Sequence, residues 1–305
     1  MATLLDKCES PVRLFDKRTQ SYMFVPCGHC SSCRRSYQLQ WRERLEAESR
    51  NSVVVLFFTL TYDNDHVPMV TLSGSGDDAF LSSNRATIPN IMLRDLDFIP
   101  DVEKFPSLVI NYKNSVYVKN TFPVVCREDV QLFLKRLRRR LSYDTHSLLE
   151  GVSSDLKTFR YFICSEYGPN TFRPHYHGLL FLKDKRVAKA IRECYIFESW
   201  SLCNRRNLDC QEVFSCASSY VSKYVVADTR LPLILQIPAL ATFSLRSTRP
   251  AIGSCVLSFA ELSDKIKSHN LVFDKIQINS DGVVTPVSVP ISSRITNRFF
   301  VPHIS

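Results

Sequence analysis

Residues 159–182 read FRYFICSEYGPNTFRPHYHGLLFL: two apolar runs, Phe159–Glu166 and His175–Leu182, flank a Tyr-Gly-Pro-Asn-Thr-Phe-Arg-Pro joint. Each run has strand length and aromatic or aliphatic bulk, and the Gly-Pro-Asn joint supplies turn chemistry, so the stretch predicts an antiparallel hairpin. Upstream, Val53–Thr61 is β-branched and aromatic and predicts a buried central strand. Arg34–Arg50 carries Tyr37, Trp41, Leu45 and Glu48 at helical spacing, and Arg127–Leu141 puts Val130, Phe133, Leu134, Leu137 and Leu141 on one stripe. Further helices are expected over Lys185–Glu193 and Ser215–Val226, with a short strand near Asp209–Phe214. Together these predict an α+β fold: a central antiparallel sheet flanked by helices, with an N-terminal Cys-rich segment.

The domain expectation follows the same reading. Residues 1–50 form a Cys-rich, candidate zinc segment with a basic helix, and residues 8–33 read as loop. Residues 51–230 form the main domain. Within it, 62–126 reads as a long insertion rich in Pro, Asn, Asp and Ser, with weak strands near Leu108–Tyr112 and Val116–Val118. Residues 231–305 read as a β-leaning C-terminal extension. The chain of 305 residues is long enough to bury a core without disulfide staples. Its ordinary share of apolar and charged residues argues against disorder. No run approaches the ~18 apolar residues of a membrane span, and the N-terminus lacks a signal-peptide stretch. A reducing compartment is therefore expected, and the 11 cysteines are expected as metal ligands or core residues. The 39 basic against 30 acidic residues, net +9, make nucleic acid a candidate partner.

His175-Tyr176-His177 is the sharpest chemical feature. Residues two apart on a strand share a face, so both imidazoles project together and offer a chelating edge to a divalent metal. Glu166, across the hairpin, is near enough to add a carboxylate; the bland alternative is a pair of surface histidines. Tyr220-Val-Ser-Lys-Tyr224 is the second feature. At about 100° per residue, Tyr224 lies about 40° round from Tyr220 and Lys223 about 60° to the other side. A phenol nucleophile must be activated from a pKa near 10, which a cation or metal can assist; otherwise the pair is a packing stripe.

Cys27-Gly-His-Cys30-Ser-Ser-Cys33, with Cys8 upstream, has the spacing of a zinc knuckle, with His29 as an alternative ligand and free or redox-active thiols as alternatives to zinc. Lys135, Arg136, Arg138, Arg139 and Arg140 line the polar face of one helix, and Arg34, Arg35, Arg42 and Arg44 that of the other. Arginine suits bidentate phosphate contacts, although a basic helix face is also simply well solvated.

Taken in order, these motifs resemble the rolling-circle replication initiators of the HUH endonuclease superfamily, and most of all those of gokushovirus-type microviruses. The resemblance rests on Val25-Pro-Cys-Gly-His-Cys30, Phe57-Phe-Thr-Leu-Thr-Tyr-Asp-Asn64, Phe133-Leu-Lys-Arg136, Glu166-Tyr-Gly168, Arg173-Pro-His-Tyr-His-Gly178 and Tyr220-Val-Ser-Lys-Tyr224. It spans residues 8 to about 253 and includes Arg249-Pro-Ala-Ile-Gly253, where Ala251 stands in place of the family's usual glycine.

The resemblance implies a nuclease palm in which His175, His177 and Glu166 hold Mg²⁺ or Mn²⁺. Tyr220 or Tyr224 then attacks the scissile phosphate with help from Lys223, and Arg173 contacts DNA. It also implies origin nicking, a 5′-phosphotyrosine link and rejoining into single-stranded circles in the host bacterial cytoplasm. Host helicase and DNA polymerase would be partners, since the chain shows no Walker-type loop. Should Tyr220 and Tyr224 be only packing residues, Tyr176 and Tyr167 are next in line. A transposase or relaxase of the same superfamily and a non-enzymatic, zinc-containing DNA-binding protein are the competing expectations.

Overall fold

The computed structural model describes residues 8–16, 20–74, 78–92, 108–112, 115–213, 231–253, 272–278 and 284–290. The chain divides into two compact units, Ser52–Arg249 and a smaller one made of Met1–Asn51 with Pro250–Ser305. Among the described residues no helix is long and apolar enough to cross a membrane.

In the smaller unit, β1 (Val12–Asp16) and β2 (Ser21–Val25) form a hairpin within a stretch whose sequence reads as loop. Its side chains are almost all exposed, so no alternation of apolar and polar residues marks it. Helix α1 (Ser31–Arg50) starts three residues before the Arg34 predicted from spacing and so carries Cys33. Arg44, read as part of a basic face, is turned inward: its guanidinium lies over the Trp41 ring and its Nε–H donates to the Ile252 carbonyl at 2.9 Å. Gly253 sits at φ +72°, where a Cβ would meet Arg44 Cα at 2.6 Å, and its N–H donates to Glu48 Oε2. Glycine is therefore required at this close approach. Strands Val272–Ile278 and Val284–Pro290 pair as a second hairpin of this unit.

The larger unit opens with β3 (Val54–Leu60), followed by β4 (Met69–Ser73), β5 (Phe80–Ser83), β6 (Ile91–Met92), β7 (Leu108–Tyr112), β8 (Ser115–Lys119) and β9 (Thr121–Pro123). It continues through α2 (Arg127–Tyr143), β10 (Phe159–Tyr167), β11 (Pro174–Leu182), α3 (Lys185–Ala190), a wider π-type turn, α4 (Ile196–Ser199), β12 (Asp209–Glu212) and β13 (Ser244–Arg246). Its centre is a five-stranded antiparallel sheet in the order β12-β3-β11-β10-β13. The fold is α+β with a central antiparallel sheet and flanking helices, as the hairpin sequence implies.

One face of the sheet carries Leu56, Phe58, Leu60, Tyr176 and Leu180 into the core shared with α2. Phe58 meets Phe133 of α2 at a ring-centroid distance of 5.7 Å, and Trp200 closes over Phe133, Tyr62 and Tyr176. Helix α2 has Glu128 and Asp129 in its first turn, where acidic charge complements the helix dipole.

Residues 62–126, read from sequence as an insertion, hold the small sheet β6-β5-β4-β9 and the hairpin β7-β8. Val70, Leu72, Leu81 and Phe122 send that sheet's apolar side into the same core. Its strands are too short and too punctuated by Pro, Asn and Ser to show a clear period. Residues 231–249, read as the start of an extension, return to the sheet: β13 pairs with β10, and the Phe243 N–H donates to Ser165 Oγ at 2.7 Å.

Candidate active site and metal centre

The two sheet faces differ in chemistry because side chains alternate along a strand. In the β10–β11 hairpin, Glu166 stands opposite His175 and Cys164 opposite His177; across β3, Thr59 stands opposite His177. Direct cross-strand partners share a face, so Thr59, Glu166, His175 and His177 converge on the side away from α2. Glu166 Oε2 lies 2.8 Å from His177 Nε2, and Thr59 Oγ1 lies 3.1 Å from His177 Nδ1. Phe57 stacks on the His177 ring at 6.1 Å, and the His175 ring lies nearly parallel to it at 6.5 Å. Burial, and then the neighbouring His177, hold the His175 imidazole below its ordinary pKa, which favours the neutral ring with a free lone pair.

Two glycines shape this face. Gly178 lies directly opposite Phe58, and a Cβ there would fall 2.2 Å from the Phe58 ring. Gly168 underlies His175: a Cβ would sit 3.2 Å from His175 Cε1. The hairpin loop closes by Gly168 N–H to Arg173 O at 2.9 Å and Phe172 N–H to Gly168 O at 3.1 Å, with Phe172 at φ +53°.

Beside His175 opens a cleft of about 470 Å³ lined by Thr61, Asp63, Asn64, Arg173 and Asn207. Arg173, expected as a DNA contact, donates to Asn64 Oδ1 at 2.9 Å and to the Tyr62 carbonyl at 2.8 Å. It thereby ties the loop after β3 to the start of β11. Thr59, Phe57 and Asn64 were not singled out from sequence. The alternation in Phe57-Phe-Thr-Leu-Thr61 carries the signal, since it puts Phe57 and Thr59 on one face and Phe58 and Leu60 on the other.

The donor set of two imidazoles and one carboxylate suits a divalent ion with open positions. A Thr59 hydroxyl at Nδ1 is the kind of outer contact that fixes a ligating histidine's tautomer and leaves Nε2 facing the ion. The trio is nevertheless an open arrangement, in which Glu166 and His177 hydrogen-bond each other. Among the described residues, only Cys8, Cys27, Cys30 and Cys33 bring three or more candidate ligand atoms within 4.8 Å of one another.

Those four sulfurs form a cluster that could hold a metal ion such as zinc. Sγ separations of 3.6 Å for Cys8–Cys33, 3.9 Å for Cys8–Cys30 and 4.0 Å for Cys27–Cys33 match a tetrahedron with Zn–S bonds of ~2.3 Å, whose edge is about 3.8 Å. Backbone N–H groups of Cys30 and His29 point at Cys27 Sγ and lower its pKa, and that of Glu9 leads in bringing Cys30 down to about 6. Burial pushes Cys33 up to about 12. Cys8, not His29, supplies the fourth ligand position.

Tyr220, Lys223 and Tyr224, and the helix expected over Ser215–Val226, lie outside the described residues. The fallback nucleophiles are described, and both are structural. Tyr176 is fully buried on the α2 side, accepting from the Cys126 N–H at 2.8 Å and bonded to the Tyr62 hydroxyl at 3.0 Å. Tyr167 donates to the Leu240 carbonyl at 2.7 Å and accepts from the Val125 N–H at 3.2 Å. Burial raises the pKa of both phenols well above the ordinary value.

Of the expected DNA-binding residues, Lys135, Arg136 and Arg139 are exposed on α2 and Arg35 on α1. Arg34 is half-buried. Arg140 pairs with Glu198 at 3.3 Å, and Arg138 lies over the Phe159 and Tyr161 rings at 5.1 and 5.4 Å.

Residues 115–229 match a family model described as Replication-associated protein, of the ORF2 type. The matched segment contains α2, the β10–β11 hairpin with both histidines, and the Tyr220–Tyr224 motif. Over that span the chain is similar to replication-associated proteins, which supports a replication initiator and a role in DNA replication. No curated protein and no solved structure matches the chain.

Proposed function

We propose that the chain is a viral rolling-circle DNA replication initiator, a metal-dependent endonuclease that nicks an origin through a tyrosine and later rejoins the product into a single-stranded circle. The observation that carries this reading is the convergence of His175, His177, Glu166 and Thr59 on one sheet face within a segment similar to replication-associated proteins.

Mg²⁺ or Mn²⁺, held by His175, His177 and Glu166, supplies Lewis-acid polarisation of the scissile phosphate. Thr59 and Phe57 hold the His177 ring in orientation, and Gly168 leaves room for the His175 ring. The cleft formed by Thr61, Asn64, Arg173 and Asn207 admits the DNA strand alongside. The phenol oxygen of Tyr220 or Tyr224 forms the new bond to phosphorus as its proton is lost. The bond to the 3′ oxygen breaks, and that oxygen leaves protonated as a free 3′-OH. The resulting 5′-phosphotyrosine retains the energy of the cut phosphodiester, so reversal by a 3′-OH rejoins the strand without ATP. Lys223 offsets charge on the phenolate or phosphoryl group. Viral origin DNA, host helicase and host polymerase are the partners of this reaction, and the host bacterial cytoplasm is its place.

The test is incubation with a labelled single-stranded origin oligonucleotide and Mn²⁺, followed by a denaturing gel. Wild type should give a cleaved product and a covalent protein–DNA adduct. Tyr220→Phe and Tyr224→Phe should each retain one cleavage, and the double variant should form no adduct. His175→Ala or His177→Ala should abolish cleavage with the fold intact. An adduct from the double tyrosine variant would place the nucleophile elsewhere. DNA binding with no cleavage by wild type would favour the non-enzymatic alternative.

A further inference from the structure

The side of the larger unit away from the histidines carries a second, differently built feature. Arg136, Arg139, Arg140 and Tyr143 of α2, with Glu198 of α4, line a groove of about 630 Å³. At 100° per residue these four α2 positions fall within an arc of about 100°. The apolar stripe Phe133, Leu137 and Leu141 meanwhile faces the sheet. Because Phe58 contacts Phe133 from one sheet face and Thr59 contacts His177 from the other, the groove and the histidines lie on opposite sides of the sheet.

Within the groove the charges are sorted. Glu198 takes both Arg140, at 3.3 Å, and His146, which fixes one wall. Arg136 and Arg139 are exposed and make no ion pair among the described residues; Arg139 lies 5.7 Å over the Tyr143 ring. The next residue on that helix surface, Arg138, is occupied by the Phe159 and Tyr161 rings. Two unneutralised guanidinium groups separated by about 4.5 Å of helix rise form a backbone-phosphate contact. A path for single-stranded DNA would need a row of aromatic stacking partners. The groove offers Tyr143 alone, and Arg139 already covers it.

We infer that this groove binds the sugar-phosphate backbone of double-stranded DNA flanking the nick site, while the cut strand lies on the histidine face. The inference deepens the nuclease reading and rests on it for the word "flanking". Arg136 and Arg139 are the phosphate contacts, and Glu198 keeps Arg140 as a wall of the groove. Engaging duplex on one side of the sheet and the cut strand on the other would hold the fork where the strands part.

The test uses the full-length chain with Arg136→Gln/Arg139→Gln. Binding of a short blunt duplex and of a single-stranded oligonucleotide is followed by fluorescence anisotropy over a salt series, alongside the oligonucleotide nicking assay. Duplex affinity should fall about tenfold at moderate salt, and the slope of log affinity against log salt should fall by about 1 per lost phosphate contact. Single-strand binding and nicking should stay at wild-type levels. Unchanged duplex affinity and slope would overturn the inference, as would an equal loss of single-strand binding. Competition by polyglutamate as effective as by duplex would also overturn it, by pointing to an acidic protein partner. If wild type nicks nothing, the nuclease reading falls, yet the duplex salt slope still decides what the groove binds.

Discussion

The Thr59 hydroxyl and the His177 Nδ1 atom lie 3.1 Å apart, as direct cross-strand partners on β3 and β11. The contact joins the Phe-Thr-Leu-Thr strand to the His-Tyr-His strand and gives a function to a threonine that otherwise reads as a β-former. With Glu166 at Nε2, both ring nitrogens of His177 are engaged. The imidazole therefore has one orientation, and its tautomer depends on which partner donates.

If Thr59 orients a metal ligand, Thr59→Val should weaken Mn²⁺-dependent nicking about 10- to 100-fold, the usual cost of losing such an outer contact. Valine keeps the shape and the strand preference. Thr59→Ser should restore most of the activity. A Mn²⁺ titration of nicking checks this, and equal activity in all three proteins would detach Thr59 from the site.

The cysteine cluster should hold one zinc per chain in protein purified without chelator, measured by elemental analysis. Cys8→Ser should lose that zinc, because Cys8 Sγ lies 3.6 and 3.9 Å from the Cys33 and Cys30 sulfurs. His29→Ala should keep it. Retention of zinc by Cys8→Ser together with its loss from His29→Ala would reverse the ligand assignment.

Gly178→Ala should destabilise the chain by roughly 1–3 kcal/mol through overpacking. The added methyl would start 2.2 Å from the Phe58 ring. Urea unfolding of Gly178→Ala, Phe58→Leu and the double variant should give a favourable coupling, since the smaller side chain makes room. Strict additivity would show that the ring already has space to move.

Asp144 follows α2 at φ +38° and accepts from the Leu148 and Leu149 N–H groups at 3.0 and 2.8 Å and from the Tyr195 hydroxyl. Burial alone would raise its pKa, but these hydrogen bonds outweigh it and hold the carboxyl below the ordinary 3.8. A carboxylate depressed in the folded state adds stability that is full above its unfolded pKa and lost as pH falls through its folded one. Asp144→Asn should therefore cost about 1 kcal/mol at neutral pH. The difference from wild type should shrink below pH ~4. Denaturant melts across acidic pH measure it, and a gap that persists or widens toward low pH would contradict the assignment.

Much of this molecule was legible before any coordinates, because local chemistry repeats at short range. Alternation and turn residues in 159–182 determine the hairpin and place Glu166 near His175. The stripe through Val130, Phe133 and Leu137 determines helix α2 and its buried side, and the spacing of Cys27, Cys30 and Cys33 announces a thiolate turn.

Tertiary structure alone decided what depends on partners distant in sequence. Thr59 and His177 are 118 residues apart, and Cys8 and Cys27 are 19 apart across a hairpin that the sequence does not advertise. The helix pattern puts Arg136, Arg138, Arg139 and Arg44 alike on polar positions. Only packing shows Arg138 lying over two aromatic rings and Arg44 bonded to the Ile252 carbonyl, while Arg136 and Arg139 stay exposed. A side chain's period along its own helix or strand is set by local geometry, but its partner is set by the register and stacking of the whole sheet, which no single segment encodes.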